Sequence, residues 1–115
     1  MRDYRKYDIW KLGHEITLNI YKLSAAFPEE ERYGITGQVR RAAYSIPSNI
    51  AEGCGRSSDA EFKRYLTISL GSASELEYFT MLIRDLGYIK ESDFDTLYDD
   101  VNKVRRSLNN LINKV

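Results

Sequence analysis

The side chains best placed to do chemistry in this sequence are cations. Arg40 and Arg41 stand side by side in GQVRRAAYSIPSNIAEGCGR, Arg56 closes that stretch, and Lys63 and Arg64 follow shortly after. Guanidinium and ammonium groups meet phosphates, so a basic strip of Arg40, Arg41, Arg56, Lys63 and Arg64 has the chemistry of nucleic-acid contact. A competing reading is structural. If the chain folds over near residues 56 and 57, position 40 faces roughly position 73, and Glu75 and Glu77 come within reach of Arg40 and Arg41. The same folding brings Glu52 towards Glu61, Lys63 and Arg64. Exposed ion pairs of this kind are worth about 0 to 1 kcal/mol. Arg40 and Arg41 need a partner of one sort or the other, because they fall near the start of a helix, where the dipole disfavours positive charge.

Other chemistry lacks its residues. His14 is the only histidine and Cys54 the only cysteine, too few for the usual zinc sites. No Glu lies three residues before His14, so the Glu-x-x-His motif of di-iron bundles is missing. Nothing beside Cys54 in the sequence would activate its thiol. GCGR at 53 to 56 follows no strand and is not continued by the Lys-Ser/Thr of a phosphate loop. Arg56, Ser57 and Ser58 precede a helix whose first amides could hold an anion, but Ser58 and Glu61 are placed to use those amides first. No metal, cofactor or catalytic constellation is expected, and an enzyme is not.

The elements that position these residues read as four helices and no strands. The first runs from about Asp8 to Ala26, with Ile9, Leu12, Ile16, Ile20, Leu23 and Phe27 on one face. The second begins with Thr36 as its N-cap and carries Val39, Ile46, Ile50 and Gly53 through Pro47. Gly53 and Gly55 are expected to stop it by taking left-handed backbone angles. The third opens on a Ser58–Glu61 capping box and runs to Leu86, with Gly87 ending it. Its small residues Ser69, Gly71, Ser72, Ala73 and Ser74 would let a neighbouring helix approach closely. The fourth starts at Ser92, and Phe94, Leu97, Val101, Val104, Leu108, Leu111 and Val115 form a heptad stripe. Its acids come early and its bases late, as the helix dipole favours.

Short connections imply an antiparallel up-down-up-down four-helix bundle, one domain over residues 1–115. Pro47 removes a backbone donor inside the second helix and should bend it. Asn49, Glu52 and Glu75 are expected to be structural polar fasteners between helices. The chain has nine tyrosines, several of them (Tyr4, Tyr7, Tyr33, Tyr88) at helix ends or outside helices. Tyr4, Tyr7 and the nearby Trp10 are candidates for an oligomer interface, with packing over the bundle ends as the alternative.

Composition is that of a soluble globular protein: 43% hydrophobic, 30% charged and no apolar run long enough to span a membrane. The opening MRDYRKYDIW lacks the apolar core of a signal peptide. With a lone cysteine, this points to a cytoplasmic setting. Seventeen basic and 17 acidic side chains cancel, which argues against a generic polyanion binder.

Residues 37–80 carry a resemblance. Arg40-Arg41-Ala42, the run Ser45 to Gly53, Gly55-Arg56, Phe62 with Tyr65-Leu66, and Gly71-Ser72 with Glu75-Leu76 are similar to the pattern of four-helix-bundle proteins encoded in intervening sequences of bacterial large-subunit ribosomal RNA genes. YDIWKLGHEI and DLGYI extend the likeness towards both ends. The resemblance implies a homopentamer and kinship with accessory proteins of diversity-generating retroelements, which bind reverse transcriptase and nucleic acid through basic surfaces. Carried across by position, it marks Arg40, Arg41, Arg56 and Arg64 for contact with RNA or DNA. Cys54 stands where a bulky aromatic is frequent, and the zero net charge is unlike the basic retroelement members. The charge favours the intervening-sequence branch. The expected role is an RNA-associated, non-enzymatic scaffold; the alternative is a protein-interaction adaptor, such as an accessory subunit of a reverse transcriptase.

Overall fold

The computed structural model describes residues 2–115; residue 1 of the expected domain lies outside them. Four helices form: α1 (Asp8–Ser24), α2 (Ile35–Cys54), α3 (Asp59–Asp85) and α4 (Glu91–Lys114), with short 3-10 turns at Tyr4–Lys6 and Glu29–Glu31. Among the described residues there is no strand, and no helix is long and apolar enough to cross a membrane. α1 and α3 each pack on both α2 and α4, so the helices close around one core. Ile16, Ile20, Ile46, Ile50, Phe62, Leu66, Leu76, Ile83, Leu97, Val101 and Leu108 fill it, each almost or fully inaccessible. These are the apolar stripes that helical periodicity picks out.

Pro47 lies inside α2 without breaking it. Its missing N–H would leave the carbonyl of Ala43 without a helical donor. The Thr17 hydroxyl of α1 shares its one proton between that oxygen, at 3.1 Å, and the carbonyl of Gly13 in its own helix, at 2.8 Å. On the other side of α2, Ser69 of α3 donates to the carbonyl of Ile46 at 2.9 Å. α1 therefore supplies the donor that the proline removes, and α3 adds a bond to the next turn. Asn49 donates to the carbonyl of Ser45 within α2 (2.7 Å), so this amide bonds its own helix and not a neighbour.

Of the two glycines expected to end α2 with left-handed angles, Gly55 stands at its C-cap without such an angle, and Gly53 lies inside the helix. No residue there has a positive φ; Gly87, at φ 77°, is the left-handed glycine of the chain. A Cβ on Gly53 would lie 2.9 Å from the Cβ of Tyr65 and 3.3 Å from the carbonyl of Phe62. Gly53 therefore lets α3 approach α2 closely, and Gly55 keeps a right-handed φ of −83°. Gly13 plays a similar part between α1 and Pro47, where a Cβ would meet Ile46 Cγ2 at 3.0 Å. In the small-residue run of α3, Ser69 and Ala73 are buried, whereas Gly71 is exposed with no atom within 4 Å of a built Cβ. The close approach is made at Ser69 and Ala73 only.

Helix starts follow the sequence with two adjustments. Ser58 caps α3, accepting from the Glu61 amide at 3.2 Å. α4 begins at Glu91, one position before Ser92. α2 begins at Ile35 behind Gly34, which offers no side-chain cap. Thr36 thus sits inside the first turn instead of capping it.

Candidate nucleic-acid interface

Arg40 to Arg56 is a climb along most of α2, about 24 Å at a rise of about 1.5 Å per residue. The basic strip is therefore not contiguous. Arg40 and Arg41 lie near the amino end of α2, beside the α1–α2 connection. Arg56, Lys63 and Arg64 gather at its other end, around the α2–α3 connection.

In the carboxyl-end group both arginines are paired, whereas Lys63 has no carboxylate within 4.0 Å among the described residues. Arg56 meets Glu52 at 3.3 Å and donates to the Tyr65 hydroxyl at 2.9 Å, so Glu52 ties α2 to α3 through Arg56. Arg64 pairs with Glu61 at 3.6 Å, and Arg2 pairs with Asp59 while lying 4.0 Å from the centre of the Phe62 ring. Glu52 makes its ion pair with Arg56; the expected approach to Lys63 and Arg64 is replaced because the nearer guanidinium is a helical turn along its own chain.

Arg40 and Arg41 differ. The ion pairs expected with Glu75 and Glu77 do not form. Glu77 instead binds Arg105 of α4 at 2.6 Å, and Glu75 is exposed. The reason is the wheel: α3 presents Glu77 towards α4, not towards α2. Arg40, half-buried, donates from Nε to the Ser24 hydroxyl at 2.7 Å and lies 4.6 Å from the centre of the Tyr21 ring. Arg41 is exposed and holds the Gln38 side-chain oxygen at 3.1 Å. Among the described residues neither has a carboxylate within 4.0 Å.

Aromatic rings surround this end. Arg32, Tyr33, Gln38, Arg41 and Tyr44 line one shallow depression floored by Gly34 and Gly37. Tyr33 is 91% exposed, an unusual position for a ring, and the Arg32 guanidinium sits 5.5 Å from its centre. Guanidinium groups beside open rings are suited to phosphates and unstacked bases together. Sequence reasoning marked Tyr33 but did not join it to Arg41, and it missed Arg32, because the turn that brings them together has no periodicity to read.

A second aromatic surface runs between α1 and α2. Tyr4 packs on Trp10 at 5.0 Å and Trp10 stacks on His14 at 5.2 Å. With Tyr21, Tyr44 and Pro47 they line a groove of about 400 Å³ that has no carboxylate in its walls. Tyr7 turns inward, its ring 6.1 Å from that of Phe62.

Burial pushes the Cys54 thiol up from its ordinary value, partly opposed by Arg2, so the thiolate is disfavoured. Tyr88 donates to Glu31 at 2.7 Å, and this bond raises its pKa. No group of three or more His, Cys, Asp or Glu among the described residues is placed to hold a metal ion.

The chain matches the family described as 23S rRNA-intervening sequence protein over residues 5–110. A crystal structure of a protein of unknown function from the S23 ribosomal protein family of Bacteroides thetaiotaomicron VPI-5482 superimposes with a TM-score of 0.84 at 26% identity, covering 90% of this chain and 97% of that one. None of the curated proteins compared with the chain matches it. The family match spans nearly the whole sequence, and the chain belongs to the 23S rRNA-intervening sequence protein family.

Proposed function

We propose that this member of the 23S rRNA-intervening sequence protein family is a non-enzymatic, homo-oligomeric scaffold of the cytoplasm that contacts RNA through the amino end of α2. One observation carries the reading: among the described residues Arg40 and Arg41, unlike Arg56 and Arg64, have no carboxylate partner. Their charge remains available to phosphates, and Tyr33 and Tyr44 stand beside Arg41 for bases. Phe27 in the α1–α2 connection lies 5.3 Å from Tyr88 in the α3–α4 connection, which supports alternating, antiparallel helices in a single domain. Net charge is zero, so each site is weak, and a ring of copies gains by multivalency. The pentamer comes from the sequence resemblance.

The groove lined by Tyr4, Trp10, His14, Tyr21 and Tyr44 supports assembly, since aromatic and carboxylate-free surfaces suit interface cores. Tyr44→Glu places a charge in it and should lower the solution mass. If the unmodified chain runs as a monomer at every concentration, the oligomeric reading fails.

RNA retention at rising salt tests the contact. Phosphate contacts release counterions, so affinity should fall steeply with salt. No retention of RNA at low salt would remove the main support and leave the adaptor reading, in which the same groove docks a protein such as a reverse transcriptase.

A further inference from the structure

We propose that the pocket at the α1–α2 connection binds a single phosphate-type oxyanion. Ser24, Phe27, Glu29, Arg32, Thr36 and Arg40 line it, enclosing about 170 Å³. Three independent features ask for negative charge there. Arg40 sits in the early part of α2, where the helix dipole already supplies positive potential, and has no carboxylate partner among the described residues. Its Nε is occupied by the Ser24 hydroxyl, which orients the guanidinium fork. Among the described residues the first amides of α2 have no side-chain acceptor, because Gly34 stands at the N-cap; the Glu31 carboxylate lies beside Gly34 but accepts from the Tyr88 hydroxyl instead of from these amides. Thr36 is only 7% exposed, lines the pocket, and its hydroxyl has no hydrogen-bond partner among the described residues.

The acidic group on the rim does not cancel these. Glu29 lies 3.7 Å from Arg32, which offsets it and leaves Arg40 in excess. A planar guanidinium and an unpartnered hydroxyl on the residues around one small volume, beside the start of a helix, match a tetrahedral oxyanion with several acceptor oxygens. A spherical halide would use few of these donors. A free phosphate and the terminal or backbone phosphate of an RNA strand present the same group, so the inference stands apart from the RNA reading.

Inorganic phosphate is the probe, with sodium chloride at matched ionic strength as the control. Thermal unfolding and phosphorus NMR of the full chain should show a phosphate-specific rise in Tm and a saturable shift. Thr36→Val is nearly isosteric and should weaken phosphate binding about tenfold, the scale of one charge-assisted hydrogen bond, with no loss of stability in phosphate-free buffer. Arg40→Gln should abolish binding, and Arg40→Lys should retain part of it. Equal Tm shifts in phosphate and chloride, or unchanged binding in Thr36→Val and Arg40→Gln, would overturn the proposal. Adding a short RNA identifies the source: if it displaces the bound phosphate, the ligand is a strand phosphate, and if both remain bound, it is a free anion. The RNA result leaves the pocket standing in either case, and loss of RNA binding alone touches only the scaffold reading.

Discussion

The two ends of α2 carry the same residue type in opposite states. At the carboxyl end, Arg56 is held by Glu52 at 3.3 Å and by the Tyr65 hydroxyl at 2.9 Å, and Arg64 by Glu61 at 3.6 Å. At the amino end, Arg40 and Arg41 bond only a hydroxyl and an amide oxygen. Exposed pairs add little stability, about 0 to 1 kcal/mol, so the first arrangement is chiefly a means of cancelling charge. The second leaves charge uncancelled where the helix dipole makes it costly. An unpaired cation in such a place points to a ligand more strongly than a paired one.

The carboxyl end is also where α2 and α3 come closest, and disturbing that contact should have the largest effect. Gly53→Ala pushes a methyl towards Tyr65 and Phe62, and we expect a loss of about 1–3 kcal/mol in chemical denaturation, despite the better helix propensity of alanine. An unchanged midpoint would mean that α3 can withdraw freely. RNA affinity at low salt gives the next effect. Arg40→Gln with Arg41→Gln should cost about tenfold, the scale of charge-assisted hydrogen bonds, whereas Arg56→Gln with Arg64→Gln should change it little. Equal losses from the two pairs would erase the functional contrast between the ends.

Smaller effects sharpen the comparison. Arg56→Gln should lower stability by less than about 1 kcal/mol, because its pair with Glu52 is partly exposed. A larger loss would show that the link to Tyr65 matters more than its charge. Asp100 of α4 supplies a control away from both ends. Burial raises its carboxyl pKa, with Asp99 and Glu15 adding to the effect and Lys103 opposing it. A raised folded pKa favours the protonated form, so this group's contribution to stability is full at acid pH and is lost as pH rises through the folded value. Asp100→Asn should therefore be slightly more stable than the parent near neutral pH, with the advantage vanishing at acid pH. An advantage that persists at low pH would assign the effect to something other than ionisation.

The helices were readable because their stripes report burial at a period of 3.6. Ile46 and Ile50 keep that spacing across Pro47, and both are fully buried. The Ser58–Glu61 cap was readable for a related reason: it is a local bond between residues three apart. In SIPSNIAEGCGR, Gly55 ends the helix as expected but without a left-handed angle, and Gly53 serves a close approach instead. A glycine near a helix end has two uses, a left-handed turn or a close approach, and only the position of Tyr65 chooses between them. The partners of Arg40 and Arg41 failed similarly. Sequence separation placed Glu77 near α2, whereas the rotation of α3 turned it to Arg105.

Composition, periodicity and local capping by themselves determined an all-helical chain and which residues fill its core, because burial of apolar stripes depends on spacing along one helix. Only the tertiary structure decided that Thr17 serves the carbonyl freed by Pro47, that Glu77 leaves Arg40 and Arg41 unpaired, and that Thr36 faces a pocket without a partner. Those outcomes depend on how each helix is rotated about its axis and where its neighbour ends. A shift of one residue in a cap or a modest turn of α3 exchanges one polar partner for another while leaving the apolar pattern almost unchanged.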